Sequence, residues 1–150
     1  MEGYEFFYAD IEADYIFLSR YNVGDFIHAN NGVVASRLKG GLLSNCNVRF
    51  TFVPQPQGFV NYRVEDEDWK NQQLFIFDKD WRFKVEDKFF YDGVFQILMS
   101  HIDWEDLGED KIIEAARKDF RKLYKQRPVE VLDNAQWKRR VSKVPGVDGK

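Results

Sequence analysis

Apolar positions in the first half of the chain come in short runs. Tyr15-Ile16-Phe17-Leu18 is a run of strand type. The stretch from Gly24 to Gly32 predicts a short helix, ended by Asn31-Gly32, a pair suited to a left-handed stop. Gly40-Gly41 marks a turn. Val48-Arg49-Phe50-Thr51-Phe52-Val53 alternates and is rich in β-formers, so it predicts a strand, which Pro54-Gln55-Pro56-Gln57-Gly58 ends. Phe59 to Val64 is β-prone again, and Leu74 to Phe77 predicts another short strand.

The second half carries helical periodicity. Phe90, Val94, Ile97, Leu98 and His101 fall on one face at helical spacing, with Asp87 or Asp92 available as N-cap. Ile112, Ile113, Ala116, Phe120 and Leu123 make a second stripe. Glu109 and Asp110 precede that stripe and Lys122 and Lys125 end it, a polarity that suits the helix dipole. Pro128 closes this helix, and Val129-Glu130-Val131-Leu132 predicts a short strand. Asn134 can cap a last basic helix from Ala135 to about Ser142. Strands come first and helices later without strict alternation, which predicts an α+β fold in one domain over residues 1–150.

Composition narrows the class. Aromatics make up 17% of the 150 residues, enough apolar bulk for one core. Cys46 is the single cysteine, so no internal disulfide can form, and a reducing, cytoplasmic setting is expected. It sits in a Ser-Asn-Cys-Asn stretch with no nearby His and reads as a loop or core thiol. The acidic start, Met1-Glu2-Gly3-Tyr4-Glu5, argues against a secretory leader, and no apolar run reaches membrane-span length. Net charge is −3 but unevenly spread. Residues 65–68 read Glu-Asp-Glu-Asp, whereas residues 117–143 are strongly basic and include Lys138, Arg139 and Arg140. Such asymmetry fits either a solvated helix face or a polyanion-binding face, with nucleic acid as a partner for the latter.

Candidate chemistry is sparse. His28 and His101 are the two histidines, and no His-x-x-x-His or Cys-x-x-Cys spacing offers a metal site. The phosphate-binding glycine motifs and the Gly-x-Ser-x-Gly elbow are missing too. Glu130 stands out, because a carboxylate between Val129 and Val131 in a strand points opposite to both. It either faces water on an edge or aims into a cleft, with Lys125 and Arg127 as available partners.

Lys125-Gln126-Arg127-Pro128-Val129-Glu130-Val131-Leu132, followed by a short helix, resembles the final motif of the DarT family, toxin ADP-ribosyltransferases that modify DNA bases using NAD. Ile102-Asp103-Trp104-Glu105-Asp106-Leu107 is similar to a family segment before the long helix. Val48 to Val53 with Pro54 to Val64, and Tyr15 to Ser19 through Gly32-Val33-Val34-Ala35-Ser36, follow the family's order, so the likeness covers most of residues 15–144. It implies a split ADP-ribosyltransferase-like β-sheet with flanking helices, Glu130 as catalytic carboxylate and NAD as substrate. Phe17, Ser19, Gly32 and Tyr62 would contact NAD, Arg37 is the nearest match to the family's loop arginine, and Lys138, Arg139 and Arg140 would hold nucleic acid. Where the family has a first-strand His, often followed by Thr two residues on, this chain has Phe17 and Ser19. Ser19 keeps a hydroxyl; Phe17 offers only a stacking ring. That departure leaves a second expectation beside the first: a non-catalytic interaction protein, such as a phage or bacterial conflict factor, an antitoxin or a pseudoenzyme. A toxin, conversely, would have an antitoxin as partner. A third is a nucleic-acid-binding module that uses the basic tail alone.

Overall fold

Phe7–Ile11 form the first strand, β1, and every one of its residues is buried, which removes the polar alternation that marks a one-sided strand. The computed structural model describes residues 5–14, 19–28, 33–53, 60–61, 74–77, 82–101, 110–129, 131–133 and 135–141; the side chains at 60, 61, 75–77, 110, 137 and 140 are not described. Among them, β2 (Phe26–His28), β3 (Val33–Ser36), β4 (Val48–Val53), β5 (Val60–Asn61), β6 (Leu74–Phe77), β7 (Arg82–Tyr91) and β8 (Val94–His101) precede helices α1 (Asp110–Lys122) and α2 (Ala135–Val141). This is the α+β order expected from the sequence, and β4, β6, α1 and α2 fall where the pattern puts them.

The strands form one hydrogen-bonded sheet in the order β2-β7-β8-β4-β1-β3-β6-β5. Among the described pairings, only that of β4 with β8 is parallel. The sheet is nearly divided. β1 and β4 share five registered pairs, whereas β1 and β3 share only Tyr8 opposite Ser36. On one face, Phe7, Ile11, Phe50, Phe52, Phe83 and Ile97 form the main core, with Tyr21 packed edge-on against Phe50. On the other face, α1 lays Ala116 and Phe120 over Val53 and Leu98. Val141 of α2 joins Val34, Leu42, Leu74 and Leu132 in a third cluster. Among the described residues no helix is long and apolar enough to cross a membrane.

Of the two expected helices that the structure overturns, the one at Gly24–Gly32 is a strand in its described part, residues 29–32 lying outside the described residues, and the other is a strand hairpin throughout. Gly24 takes φ 99°, and its N–H donates to the Val85 carbonyl, so the chain turns and Phe26–His28 extends along the edge of β7. The Phe90–His101 stripe is a hairpin. Asp92 and Gly93 have φ of 51° and 83°, the two successive positive values of a type I′ turn, and β7 and β8 pair on either side of it. Apolar residues on both faces of a central strand mimic helical spacing, and Asp-Gly is the stronger signal. At the predicted strand Val129–Leu132, the described residues Val129 and Val131–Leu132 lie outside any strand, and the Leu132 N–H donates to the Leu42 carbonyl at 3.4 Å. The strand expected at Tyr15–Leu18 and most of Phe59–Val64 lie outside the described residues.

A register shift between Val85 and Asp87 docks α1. It is a β-bulge at Glu86 that turns Glu86 and Asp87 toward the helix. Arg121 grips Asp87 through Nε and Nη2, both at 2.6 Å, and lies 4.3 Å over the Phe89 ring. One turn earlier, at the i, i+4 spacing, Arg117 reaches Glu86 at 3.4 Å.

Candidate functional site

Asp10, Arg49 and Gln96 stand in register across β1, β4 and β8, on the face covered by α1. A polar row inside a sheet must be fully hydrogen-bonded to persist. Arg49 Nε and Nη2 donate to the two Asp10 oxygens at 2.8 and 3.3 Å, while Nη1 donates to the Gln126 carbonyl at 2.8 Å. Gln96 Nε2 donates to the Tyr124 carbonyl at 3.3 Å. The row therefore ties the segment just after α1 to the sheet. Asp10 also accepts from the Leu43 N–H at 3.2 Å, which fixes the turn before β4. Burial pushes the Asp10 carboxyl above its ordinary range, and Arg49 and the Leu43 amide oppose that rise.

Gly40 and Gly41, with φ of 79° and 80°, wedge that turn between the post-helix segment and Asp10. A Cβ on Gly40 would stand 2.2 Å from the Arg127 carbonyl oxygen, and one on Gly41 would stand 2.3 Å from Asp10 Oδ2. Gly41→Ala combines a positive-φ penalty with a collision against a buried carboxylate. A loss of about 2–3 kcal/mol is expected, read from the urea midpoint at unchanged slope. A loss under about 0.5 kcal/mol would show that the turn relaxes away from Asp10.

Two adjacent clefts open around residues 44–46. The first, of about 380 Å³, has Arg49 and Gln96 among its lining and is flanked by Tyr91, Asp92, Tyr124 and Arg127, with Pro128 beside it. The second, of about 370 Å³, is lined by Glu12, Leu43, Val131 and Lys138 on the other side of Ser44, Asn45 and Cys46. Arg127 and Asp92 form an exposed pair at 3.1 Å across the first mouth. Tyr91 and Tyr124 meet edge to face at 4.6 Å.

Cys46 lines both clefts, yet burial and then the Asp10 charge push its thiol up to about 12. It fits the structural role expected of it rather than a nucleophile's. Thiolate absorbance at 240 nm should stay absent from the folded protein at pH 9–10. The unfolded thiol ionises near pH 8.5. The folded state therefore holds the extra proton between there and about 12, and stability falls as pH rises through that window. A Cys46→Ala variant should lose that part of the slope; equal slopes in the two proteins would contradict the assignment.

The residues expected to act together are only partly gathered. Lys138 lines the second cleft, and Arg139 is exposed on the same helix. Arg37 lies past the end of β3, pairs with Glu5 at 2.7 Å and lines neither cleft. Ser19 is exposed in a turn where its carbonyl accepts from Asn22 Nδ2, and it also lines neither. Glu130, Phe17, Gly32 and Tyr62, and the Arg140 side chain, lie outside the described residues. Pro128 lines the first cleft and Val131 the second, so chain on both sides of Glu130 contributes to them. Sequence reasoning missed Asp10, Arg49, Gln96 and Tyr91. The available signals were a charge in the middle of an apolar strand and the Asp-Gly turn beside Tyr91. Among the described residues, no cluster of His, Cys, Asp or Glu could hold a metal ion.

No protein-family model and no curated protein matches this sequence. Solved structures do match its fold. HopU1, an ADP-ribosyltransferase of Pseudomonas syringae pv. tomato DC3000, superposes with a TM-score of 0.53 at 12% identity, over 65% of this chain and 44% of its own. The type III effector XopAI of Xanthomonas axonopodis pv. citri gives 0.52 at 17% identity, over 65% of this chain and 41% of its own. The chain thus spans less than half of either. Its expected ADP-ribosyltransferase-like α+β fold is the fold of HopU1.

Proposed function

We propose that this protein transfers ADP-ribose from NAD to a nucleic-acid base, with Glu130 as the catalytic carboxylate. The observation that carries the reading is the fold shared with the ADP-ribosyltransferase HopU1. The clefts on either side of residues 44–46 support it, because chain flanking Glu130 lines both. In the transfer, the bond between ribose C1′ and the nicotinamide nitrogen breaks. Nicotinamide leaves with the bonding pair, and C1′ acquires oxocarbenium character. A carboxylate beside the ribose stabilises that charge and accepts a hydrogen bond from the 2′-hydroxyl. A ring or exocyclic nitrogen of the acceptor base then bonds to C1′ and gives up its proton, which Glu130 can take. Phe17, Ser19, Gly32 and Tyr62 are the NAD contacts of this reading. Arg37 would hold the pyrophosphate as a charge-assisted fork after leaving Glu5, an exposed partner that holds it weakly. Lys138, Arg139 and Arg140 would meet acceptor phosphates without reading sequence.

The test is NAD turnover with single-stranded DNA and RNA oligonucleotides, read by mass spectrometry. An added ADP-ribose with the native protein and none with Glu130→Gln supports the reading. No adduct on any acceptor, with no NAD binding by calorimetry, overturns it. A non-catalytic, partner-binding role is the second reading, favoured by the exposed apolar side chains of Val129, 61% exposed, and Phe90, 52% exposed. A stable protein partner, such as an antitoxin, in pull-downs without turnover supports it.

A further inference from the structure

The hairpin tip supplies one side of the first cleft and the post-helix segment the other. Tyr91 is 38% exposed, and its ring is braced in a T-shaped contact with Tyr124 at 4.6 Å. Such a ring offers a held surface on which a planar group can stack, at little cost in side-chain entropy. Arg127 stands opposite; it pairs with Asp92, which is itself exposed, and also donates to the Lys125 carbonyl at 3.4 Å. A pair of that kind contributes little in water and exchanges readily for a better anion. A phosphate offers the guanidinium two oxygens in the fork geometry it prefers. Ser44 and Asn45, exposed in the same lining, add a hydroxyl and a carboxamide that can meet the edge of a base. At about 380 Å³ the cleft has the size of a small-ligand site. Its floor, Arg49 and Gln96, is fixed by the buried hydrogen bonds to Asp10 and to the Gln126 and Tyr124 carbonyls. The lining is too polar for a purely apolar ligand and has too many aromatic surfaces for a bare anion.

We infer that the cleft between Tyr91, Tyr124 and Arg127 binds one nucleotide, its base stacked on Tyr91 and its phosphate on Arg127. Resting on the transferase reading above, this is the seat of the acceptor nucleotide, beside the segment that carries Glu130. A nucleotide within a single strand and a free nucleoside monophosphate share this chemistry. Lys138, in the adjoining cleft, continues the cationic path a strand would follow.

The experiment measures fluorescence anisotropy of a short labelled oligothymidylate with the full chain, over a salt series, and competition by thymidine monophosphate and by NAD. Tyr91→Ala is expected to weaken binding about 5- to 100-fold. Arg127→Ala is expected to weaken it and to lower the salt slope by about 0.7. Both residues are exposed, so the variants should fold, and Lys111→Ala, at the exposed start of α1 and outside the basic stretch, serves as a surface control that binds as the native protein does. Competition by the monophosphate at micromolar levels means a free nucleotide suffices; none at millimolar levels means the strand is required, and either agrees with the site. Native-like binding by both variants overturns it, as does displacement of the oligonucleotide by NAD alone through Tyr91 and Arg127. The two readings fail separately. Oligonucleotide binding that depends on Tyr91 without ADP-ribose transfer removes the transferase and leaves the cleft. Transfer that is unaffected by both variants removes the cleft and leaves the transferase.

Discussion

Replacing Asp10 by alanine is expected to lower the unfolding free energy by about 3–5 kcal/mol, enough to leave a typical domain partly unfolded. Asp10 and Arg49 are 2% and 6% exposed. Their attraction acts at low dielectric, but both ions have also lost their hydration. Removing the carboxylate therefore leaves a buried guanidinium with the Gln126 carbonyl and the weak acceptor Cys46 Sγ, neither of them charged to match it, and the Leu43 N–H loses its partner as well. The double variant Asp10→Leu with Arg49→Met should be less damaged than Asp10→Ala alone, because no unpaired charge stays inside. Urea unfolding of the native, single and double variants reads both effects. A single-variant loss under about 1 kcal/mol would mean that water reaches the pair, as in an exposed ion pair. The damage should extend to function. Arg49 holds the segment after α1, so a folded Arg49→Lys variant, which lacks the fork, should bind oligonucleotide more weakly than the native protein.

Glu130→Gln is expected to slow ADP-ribose transfer about 10²- to 10⁴-fold while changing NAD affinity little. The amide keeps the size and one acceptor oxygen of the carboxylate but carries no charge to offset the oxocarbenium ion. It also cannot accept the acceptor's proton. The effect should therefore fall on the chemical step, which single-turnover release of nicotinamide reports directly. Calorimetry with NAD and a thermal melt check that binding and folding survive. Activity within about 3-fold of native, from a folded variant that binds NAD, would move the catalytic carboxylate elsewhere. Among the described residues, Glu12 and Asp92 are the carboxylates that line the two clefts, and they would be tested next.

The sequence by itself determined the elements whose signals are local. Helix α1 follows from an apolar stripe with charges at matching ends, and β4 from strict alternation of β-formers. Gly40-Gly41 gave the turn, and the strands-then-helices order gave the α+β class. The tertiary structure decided what depends on two-sided burial. In β1 and most of β8 every residue is buried, so neither shows a period of two, and the hairpin's apolar residues can be fitted to a helix until Asp92 and Gly93 take positive φ. Gly24 likewise turned an expected helix into an edge strand, because β7 offered Phe26–His28 a hydrogen-bonding edge. The candidate site was legible only as single residues. Arg127 and Lys138 could be named from charge. Their placement with Tyr91 and Gln96 in two clefts around residues 44–46 could not, since those residues come from β7, β8, the segment after α1 and helix α2. Asp10 and Arg49 are 39 positions apart, and only the register of β1 on β4 puts them side by side. A buried charge states in the sequence that it needs a partner; which partner it finds is a property of strand pairing, and that was set by the core on the opposite face.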